Sequence, residues 1–323
     1  MLSFIIIGRN EGWKLTKCIE SVLKSINQNS ITDFEMIYID SKSTDDSIER
    51  IKKFDSVKSF QITGEFNAAI ARNIGVNEST GEILVFLDGD MELVPEFLAE
   101  SFLLIKNNIN YISGQIENYY YDKDWNFIKS EGLLKSNKLE TYDITNGGAF
   151  IITKDLWLSV HGMKSKYDRS QDIDLAYRLV KKGYKIYRSS KTMVKHHTIQ
   201  YNFNPGIKTE LLNFRQLLFR GLLIRDHLFN FKILKRNLRI NYTVFLLLAS
   251  IIFVFIYLQA YVFIPYVIIL GIRSASNFKT FKNVINVHFI DLLMKYLFRD
   301  ITAILGLLFF FPGNKKIMYL SVS

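Results

Sequence analysis

The sequence predicts an α/β fold, with a mostly parallel sheet covered by helices on both faces, followed by C-terminal membrane-associated helices. Three observations carry this prediction. Short apolar runs alternate with segments of helical spacing through the first 100 residues, the order that builds parallel sheets. No residue from Thr243 to Ile272 is charged, a run of 30, well beyond the ~20 apolar residues a spanning helix needs. Charge is also divided unevenly: residues 201–323 hold 15 Lys/Arg against 4 Asp/Glu, whereas residues 1–200 hold 26 against 27.

Taken in order, Ser3–Ile7 is a continuous apolar strand, and Leu15, Cys18, Ile19, Val22, Leu23 and Ile26 recur at helical spacing. Phe34–Ile39 is a second strand, ending at Asp40. Asp45–Phe54 reads as a helix with Ser, Thr and Asp at its start. Val57–Ile62 is a third strand, Asn67–Glu78 an Ala-rich helix and Ile83–Leu87 a fourth strand. Val94–Lys106 is a helix with Pro95 in its first turn, where a missing N–H costs nothing. Tyr111–Ile116, Glu117–Tyr121 and Ala149–Thr153 are strand-like. Asp172–Lys182 is a short helix closed by Gly183, and the strand Lys185–Arg188 leads to His196-His197.

The uncharged run is either one long tilted helix or a tight hairpin broken near Gln259 or Pro265. Lys232, Lys235, Arg236 and Arg239 precede it, and Arg273, Lys279 and Lys282 follow it. Basic residues at both ends favour a hairpin with both ends in the cytoplasm, re-entrant or shallow because each arm is short. Ile301–Phe311 follows Asp291, Lys295, Arg299 and Asp300 at near-helical spacing. It reads as an interfacial amphipathic helix, with a third span as the alternative. The expected divisions are 1–205 for the α/β domain, 206–242 for basic juxtamembrane helices and 243–323 for the membrane segment.

A basic and apolar C-terminal segment points to anionic lipid. Nucleic acid is disfavoured as a partner, because the cations flank apolar runs rather than forming a polar stripe. The single cysteine, Cys18, rules out an internal disulfide and sits where a small buried thiol fits, consistent with a reducing compartment. Phe4–Ile7 is too short for a secretory signal and has no basic segment before it.

Asp88-Gly89-Asp90 follows the apolar run Ile83–Leu87. Two carboxylates one residue apart on extended backbone point the same way and make hard oxygen ligands suited to Mg²⁺ or Mn²⁺. A strand-end turn is the competing explanation. In parallel sheets ligands bind at the carboxyl ends of the strands, where Gly8–Glu11, Asp40–Asp45 and Asp88–Asp90 all fall.

Six segments in this order resemble family-2 inverting glycosyltransferases of the GT-A fold, a Rossmann-like architecture. They are Ile5–Glu11, Asp40–Ser47, Ala71-Arg72-Asn73-Ile74-Gly75, Phe86-Leu87-Asp88-Gly89-Asp90, Asn146-Gly147-Gly148-Ala149-Phe150 and Gln171-Asp172-Ile173-Asp174-Leu175. With its membrane segment the chain most resembles the branch that builds exopolysaccharide and lipid-linked oligosaccharide at the bacterial inner membrane, with the catalytic domain on the cytoplasmic side.

The resemblance implies a nucleotide-sugar donor, most often a UDP-sugar, and a lipid-linked or growing glycan acceptor. Asn10 and Glu11 are expected beside the nucleoside, Asp40 on the base, and Ser43 and Asp45 closing that loop. Arg72 suits a diphosphate, being permanently charged and bidentate. Asp88 belongs to both the nucleotide and the metal sets, with Asp90 as metal ligand and His196 or His197 reaching the ion. Asp172 is the expected general base, removing the acceptor hydroxyl proton. Gln171, Gly147 and Gly148 are expected at the acceptor. The family usually carries Glu-Asp where this chain has Gln171-Asp172, which bears on acceptor identity. Asp174 reads as structural, paired with Arg178 across one helical turn.

Arg215 and Arg220 are candidates for a lipid pyrophosphate. Gln216 and Arg220 lack the spacing and the Trp of the processive synthases, which argues against a processive polymerase. The rivals are a polyprenyl-phosphate glycosyltransferase, a sugar nucleotidyltransferase, and an inactive scaffold subunit of a polysaccharide assembly complex. The first has less need of a base, because its phosphate acceptor arrives ionised. The second would want a Gly-rich loop that Arg9-Asn10-Glu11 does not supply, and intact Asp88, Asp90 and Asp172 oppose the third.

Overall fold

A computed structural model of the chain describes residues 1–132, 140–142, 147–200, 207–281 and 288–322. Two units emerge: Met1–Gln200 together with Gly313–Ser323, and Tyr201–Pro312.

The first unit opens with the expected alternation. It runs β1 (Leu2–Gly8), α1 (Trp13–Gln28), β2 (Phe34–Asp40), α2 (Ser47–Ile51), β3 (Val57–Ile62), α3 (Ala68–Glu78) and β4 (Ile83–Asp88). The order β3-β2-β1-β4 is parallel throughout, with Gly8 opposite Asp40 and Ile7 opposite Asp88. This register brings the three motif-bearing loops out at one end of the sheet. There follow β5 (Met91–Leu93), α4 (Pro95–Lys106), β6 (Tyr111–Tyr121), β7 (Phe127–Gly132), β8 (Glu140–Tyr142), β9 (Phe150–Thr153), α5 (Lys154–Ser159), α6 (Gln171–Lys181) and β10 (Ile186–Ile199). The sheet continues from β4 through β9, β6 and β10 to β5, and a last strand, β11 (Tyr319–Ser321), closes the opposite edge on β3.

The core lies on both faces of the sheet, which is why its parallel strands read as continuous apolar runs. Phe4 and Ile6 of β1 pack with Leu15, Cys18, Ile19 and Val22 of α1. Their neighbours Ile5 and Ile7 pack on the other side with Ile70 and Ile74 of α3 and Leu175 of α6. Asn67 caps α3, its side chain accepting from the Ile70 N–H at 2.9 Å.

Several elements differ from the sequence expectation. The helix expected over Asp45–Phe54 shrinks to Ser47–Ile51, because Asp45 turns back to accept from the Ser47 N–H at 3.1 Å. The two strand segments of 111–121 form one strand. The strand expected to stop at Arg188 runs to Ile199, so His196 and His197 lie within it rather than after it. Strands β5, β7, β8 and β11 had no clear periodic signal, being short or wholly exposed. Asn146 and Lys282 lie outside the described residues.

The second unit comprises α7 (Ile207–Leu212), α8 (Phe214–Asp226), α9 (Phe231–Ile240), α10 (Tyr242–Tyr257), a 3₁₀ turn at Ala260–Phe263, α11 (Ile264–Phe281) and α12 (Phe289–Phe309). The uncharged run is broken at Leu258, φ +53°, beside the expected Gln259. Among the described residues one helical stretch, Ala260–Phe278, is long and apolar enough to cross a membrane, and α9 and α10 meet at an 87° bend. Val244, Leu247, Tyr266, Leu270, Leu292 and Ile304 form this unit's apolar centre. Helices α8 and α12 touch backbone to backbone: a Cβ on Gly221 would stand 2.0 Å from the Ala303 carbonyl oxygen, and one on Gly306 2.1 Å from that of Leu218.

The segment expected as a separate interfacial helix is the second half of α12. Two of the charges that precede it on α12 turn inward: Asp300 is fully buried beside Tyr266 Oη at 3.4 Å and Arg220 at 3.8 Å. Lys295 lies 3.5 Å from Glu210. The expected boundary of the membrane segment at 323 also moves, because Gly313–Ser323 belongs to the sheet unit.

Candidate active site

The loop after β1 and the loop after β2 are tied together. Asn10, at φ +57°, donates its N–H to Ser43 Oγ at 2.9 Å and accepts at Oδ1 from the Thr44 N–H at 2.8 Å. The Glu11 and Gly12 N–H groups both donate to Ser47 Oγ, at 3.1 and 3.0 Å. Asp40 is fully buried. It accepts from the Ser43 N–H at 2.8 Å, Gln61 Nε2 at 2.9 Å and the Tyr38 hydroxyl at 3.1 Å. Asn10, Asp40 and Ser43 are therefore one hydrogen-bonded knot that sets the loop's shape, and Asp45 meets it only through Ser47, whose N–H it accepts.

The adjoining cleft, about 290 Å³, is lined instead by Arg9, Glu11, Ser41, Phe66, Asp88 and Asp90, among others. The Arg9 guanidinium lies 4.5 Å over the Phe66 ring, a cation–π pair within the cleft lining. Neither residue stood out in the sequence, since an arginine in a loop and a phenylalanine before a helix carry no pattern of their own.

Asp88 ends β4 and accepts from Arg72 Nη2 at 2.6 Å. Burial pushes its carboxyl up to about 6, against the pull of Arg72 and with a push from Asp90 and Glu11. Burial also raises Glu11, with Asp90 adding to it and Lys14, 2.6 Å away, opposing. Asp90 Oδ2 stands 3.3 Å from His196 Nε2, and His196 Nδ1 is 2.8 Å from Asn118 Oδ1. Burial lowers the His196 imidazole, but Asp90 outweighs it and raises the pKa. The Asp90 Oδ1 atom is buried and finds no hydrogen-bond partner among the described residues.

His197 points the other way, as adjacent strand residues must. It is buried, with Nδ1 2.8 Å from Tyr121 Oη and Nε2 2.6 Å from Glu92 Oε1, inside a cluster with Trp13 and Tyr119. Of the two histidines, His196 is the one beside the Asp88-Gly89-Asp90 turn.

A second cleft, about 280 Å³, shares Ala68 and Asp88 with the first and adds Arg72, Gly147, Gly148 and Asp172. The glycine pair separates two carboxylates. A Cβ on Gly148 would stand 2.5 Å from Asp88 Oδ2, and one on Gly147, φ +84°, 3.6 Å from Asp172 Oδ2. Side chains here would fill the gap between them. Gln171 opens α6 beside Asp172, with its Oε1 buried and lacking a hydrogen-bond partner among the described residues. Asp174 holds Arg178 at 2.7 Å and Lys164 at 3.4 Å, the structural role expected of it.

Arg215 and Arg220 do not share a site. Arg215 is exposed, whereas Arg220 donates to Asn241 Oδ1 at 2.8 Å and faces Asp300. Among the described residues no three His, Cys, Asp or Glu side chains are grouped to hold a metal ion. The orphaned Asp90 oxygen with His196 beside it fits an ion that completes its shell from substrate phosphate, as Mg²⁺ commonly does.

Comparison with known proteins bears on the family and the fold. Residues 3–161 match the family model for glycosyl transferase family 2. The chain is similar to an uncharacterized glycosyltransferase of Haemophilus influenzae, 28% identical over 56% of this chain and 62% of that one. It is also similar to the amylovoran biosynthesis glycosyltransferase AmsB of Erwinia amylovora, 23% identical over 58% and 67%. The chain thus spans about three fifths to two thirds of the length of these relatives. Among solved structures, GalNAc-T7 with UDP, GalNAc and Mn²⁺ shares the fold at a TM-score of 0.52 and 19% identity, over 64% of this chain and 45% of that one. Over residues 3–161, which hold the first cleft and the Arg72, Asp88 and Gly147-Gly148 part of the second, the chain belongs to glycosyl transferase family 2, on a GT-A fold.

Proposed function

We propose that the protein is a metal-dependent, inverting glycosyltransferase that moves one sugar from a nucleotide-sugar donor, a UDP-sugar first among candidates, to a lipid-linked or growing glycan. The observation that carries this reading is the pair of clefts joined at Asp88, with Asp172 on the far wall across Gly147-Gly148. One cleft has the size and lining for a nucleoside, and the other leaves room for a sugar with an acceptor hydroxyl facing a carboxylate.

In this reading the nucleoside lies against the loop built by Asn10, Ser43 and Asp45, with Arg9 and Phe66 at its edge. Asp40 acts through that loop and has one lone-pair direction left after its three donors. Asp90 through Oδ1, with Asp88 and His196 nearby, would hold Mn²⁺ or Mg²⁺ only together with diphosphate oxygens of the donor. The ion supplies Lewis-acid stabilisation of the charge that grows on the leaving diphosphate. Arg72 keeps Asp88 in place from beneath. Asp172 takes the acceptor hydroxyl proton as that oxygen attacks the anomeric carbon from the face opposite the leaving group. Gln171 offers a buried carbonyl oxygen with which to orient the acceptor. The Mn²⁺ and UDP named with GalNAc-T7, and the amylovoran biosynthesis named with AmsB, are consistent with this assignment.

The exposed apolar residues of the helical unit support a membrane seat, which in this reading is the cytoplasmic face of the inner membrane. Phe255 and Leu258 are 77% and 84% exposed, and α9 carries Lys232, Lys235, Arg236 and Arg239 beside exposed Phe231 and Leu238, the composition of an interfacial helix.

The deciding measurement is release of nucleoside diphosphate from UDP-, GDP- and dTDP-sugars with Mn²⁺ and with EDTA. Release that needs the metal and disappears in Asp90→Ala is expected. The absence of release from all three donors would favour the scaffold reading. Turnover by Asp172→Asn near that of the parent would favour a phosphate acceptor, which arrives ionised.

A further inference from the structure

The C-terminal tail belongs to the sheet unit, and its contacts fall on the loop that leads to Asp172. Three sets of observations meet there. First, the tail is locked to the sheet edge. Tyr319 pairs with Ile62 and Ser321 with Phe60, the Thr63 N–H donates to the Met318 carbonyl at 2.9 Å, and the Tyr319 hydroxyl donates to Glu78 Oε1 at 2.5 Å.

Second, Lys315 grips the loop by backbone and side chain together. Its N–H donates to Ser165 Oγ at 2.9 Å, the Ser165 hydroxyl donates to its carbonyl at 3.1 Å, and its ammonium binds Asp168. Third, the same loop is held from the other side by α3. Asn67 Nδ2 donates to Asp168 Oδ1 at 3.0 Å and to the Ser165 carbonyl at 2.8 Å. Asn73 exchanges two hydrogen bonds with the Met163 backbone, at 2.6 and 3.0 Å. Helix α3 is also the helix whose Arg72 holds Asp88.

We propose that Lys315 is a positioning residue, acting through Asp168, that fixes Asp172 at its distance from Asp88, and that the tail from Gly313 is a strap over residues 163–172. The proposal rests on the assignment of Asp172 as base. Asp168 and Asp172 line the same cleft, with only Arg169, Ser170 and Gln171 between them. Ser170 adopts the left-handed region at φ +66°, a strained turn for a non-glycine residue that its surroundings must hold. A carboxylate displaced by about 1 Å loses turnover far more than binding. The competing role is an ordinary partly exposed ion pair that contributes little beyond modest stability.

The test compares Lys315→Met and Lys315→Arg with the parent protein in sugar transfer, UDP binding by calorimetry, hydrogen exchange over residues 163–172, and melting temperature. Lys315→Met is expected to lower kcat about tenfold, with donor KM and UDP affinity within about twofold of the parent. Exchange across 163–172 should rise, and Lys315→Arg should restore kcat to within about threefold. An unchanged kcat overturns the proposal. So does a loss that tracks a fall in melting temperature and that Lys315→Arg does not repair. Asp172→Asn in the same assay separates the two assignments. A large loss there beside a normal Lys315→Met sinks the strap alone, and near-parent turnover by Asp172→Asn sinks the base and the strap together.

Discussion

Arg72 Nη2 donates to Asp88 Oδ1 at 2.6 Å from a side chain only 3% exposed, so the carboxylate at the junction of the two clefts is anchored by a charge beneath the surface. Removing that cation leaves a half-buried carboxylate without its partner, at a cost of about 1–3 kcal/mol. Arg72→Met is therefore expected to lower the urea midpoint measurably. Arg72→Lys, which keeps charge but not the planar fork, should lower it less.

His196 and His197 should separate cleanly on substitution. His197→Ala strips a buried ring from Tyr121 and Glu92 and is expected to cost about 2–3 kcal/mol in thermal or urea unfolding. His196→Ala should leave stability within about 0.5 kcal/mol and weaken Mn²⁺ affinity, read by calorimetry in the presence of UDP, by about tenfold.

Glu35 carries a pH-dependent share of stability. Burial pushes its carboxyl up, but donors from Thr80, Ser3 and Lys58 outweigh burial and hold it down at about 2. The folded value lies below the unfolded value of 4.5, so the stabilisation is full above the unfolded value. It is lost as pH falls from there towards about 2, amounting to about 3 kcal/mol at most. Glu35→Gln is expected to flatten the acid limb of a stability–pH curve measured by urea unfolding between pH 3 and pH 7.

The α8–α12 crossing should tolerate no side chain. Gly221→Val or Gly306→Val drives a Cβ into a carbonyl oxygen of the facing helix, and overpacking of this kind costs about 1–3 kcal/mol or more. Either variant, in detergent, should melt at lower temperature than the parent. A Ser at Gly313, whose Cβ would meet nothing within 4 Å, should not.

Membrane association should depend on the tip between α10 and α11. Replacing exposed Phe255, Leu258 and Tyr261 by Ser is expected to release the protein from liposomes in a flotation assay, with UDP binding retained. Neutralising Lys232, Lys235, Arg236 and Arg239 should weaken binding to anionic vesicles and make it insensitive to salt.

The first four strands and their helices were legible because each buries one whole face or both, so burial is written as apolar spacing: Phe4 and Ile6 on one side, Ile5 and Ile7 on the other. Asp88, Asp90, Arg72 and Asp172 were legible as types in an order. Their neighbours were not. Arg9 and Phe66 meet only because the loops after β1 and β3 leave the same end of the sheet. Asp40 looked like a ligand-facing carboxylate, but the donors that satisfy it, Gln61 and Tyr38, come from two different strands. The inward turn of Lys295 and Asp300 was hidden because helical spacing alone does not say which face a partner covers. Strand β11 was missed for a different reason: three residues carry no period, and only pairing with β3 makes them a strand.

That last strand also governs how a water-soluble version could be made. The polypeptide leaves the sheet unit at Gln200 and rejoins it at Gly313, so the helices are an insertion with a covalent tether at each end rather than a tail. A stop codon placed upstream of the apolar helices would discard Lys315 and the ladder on β3, and leave an open, aggregation-prone edge. Excision is the appropriate surgery: residues 201–312 exchanged for a hydrophilic linker, with the final eleven residues spliced back on.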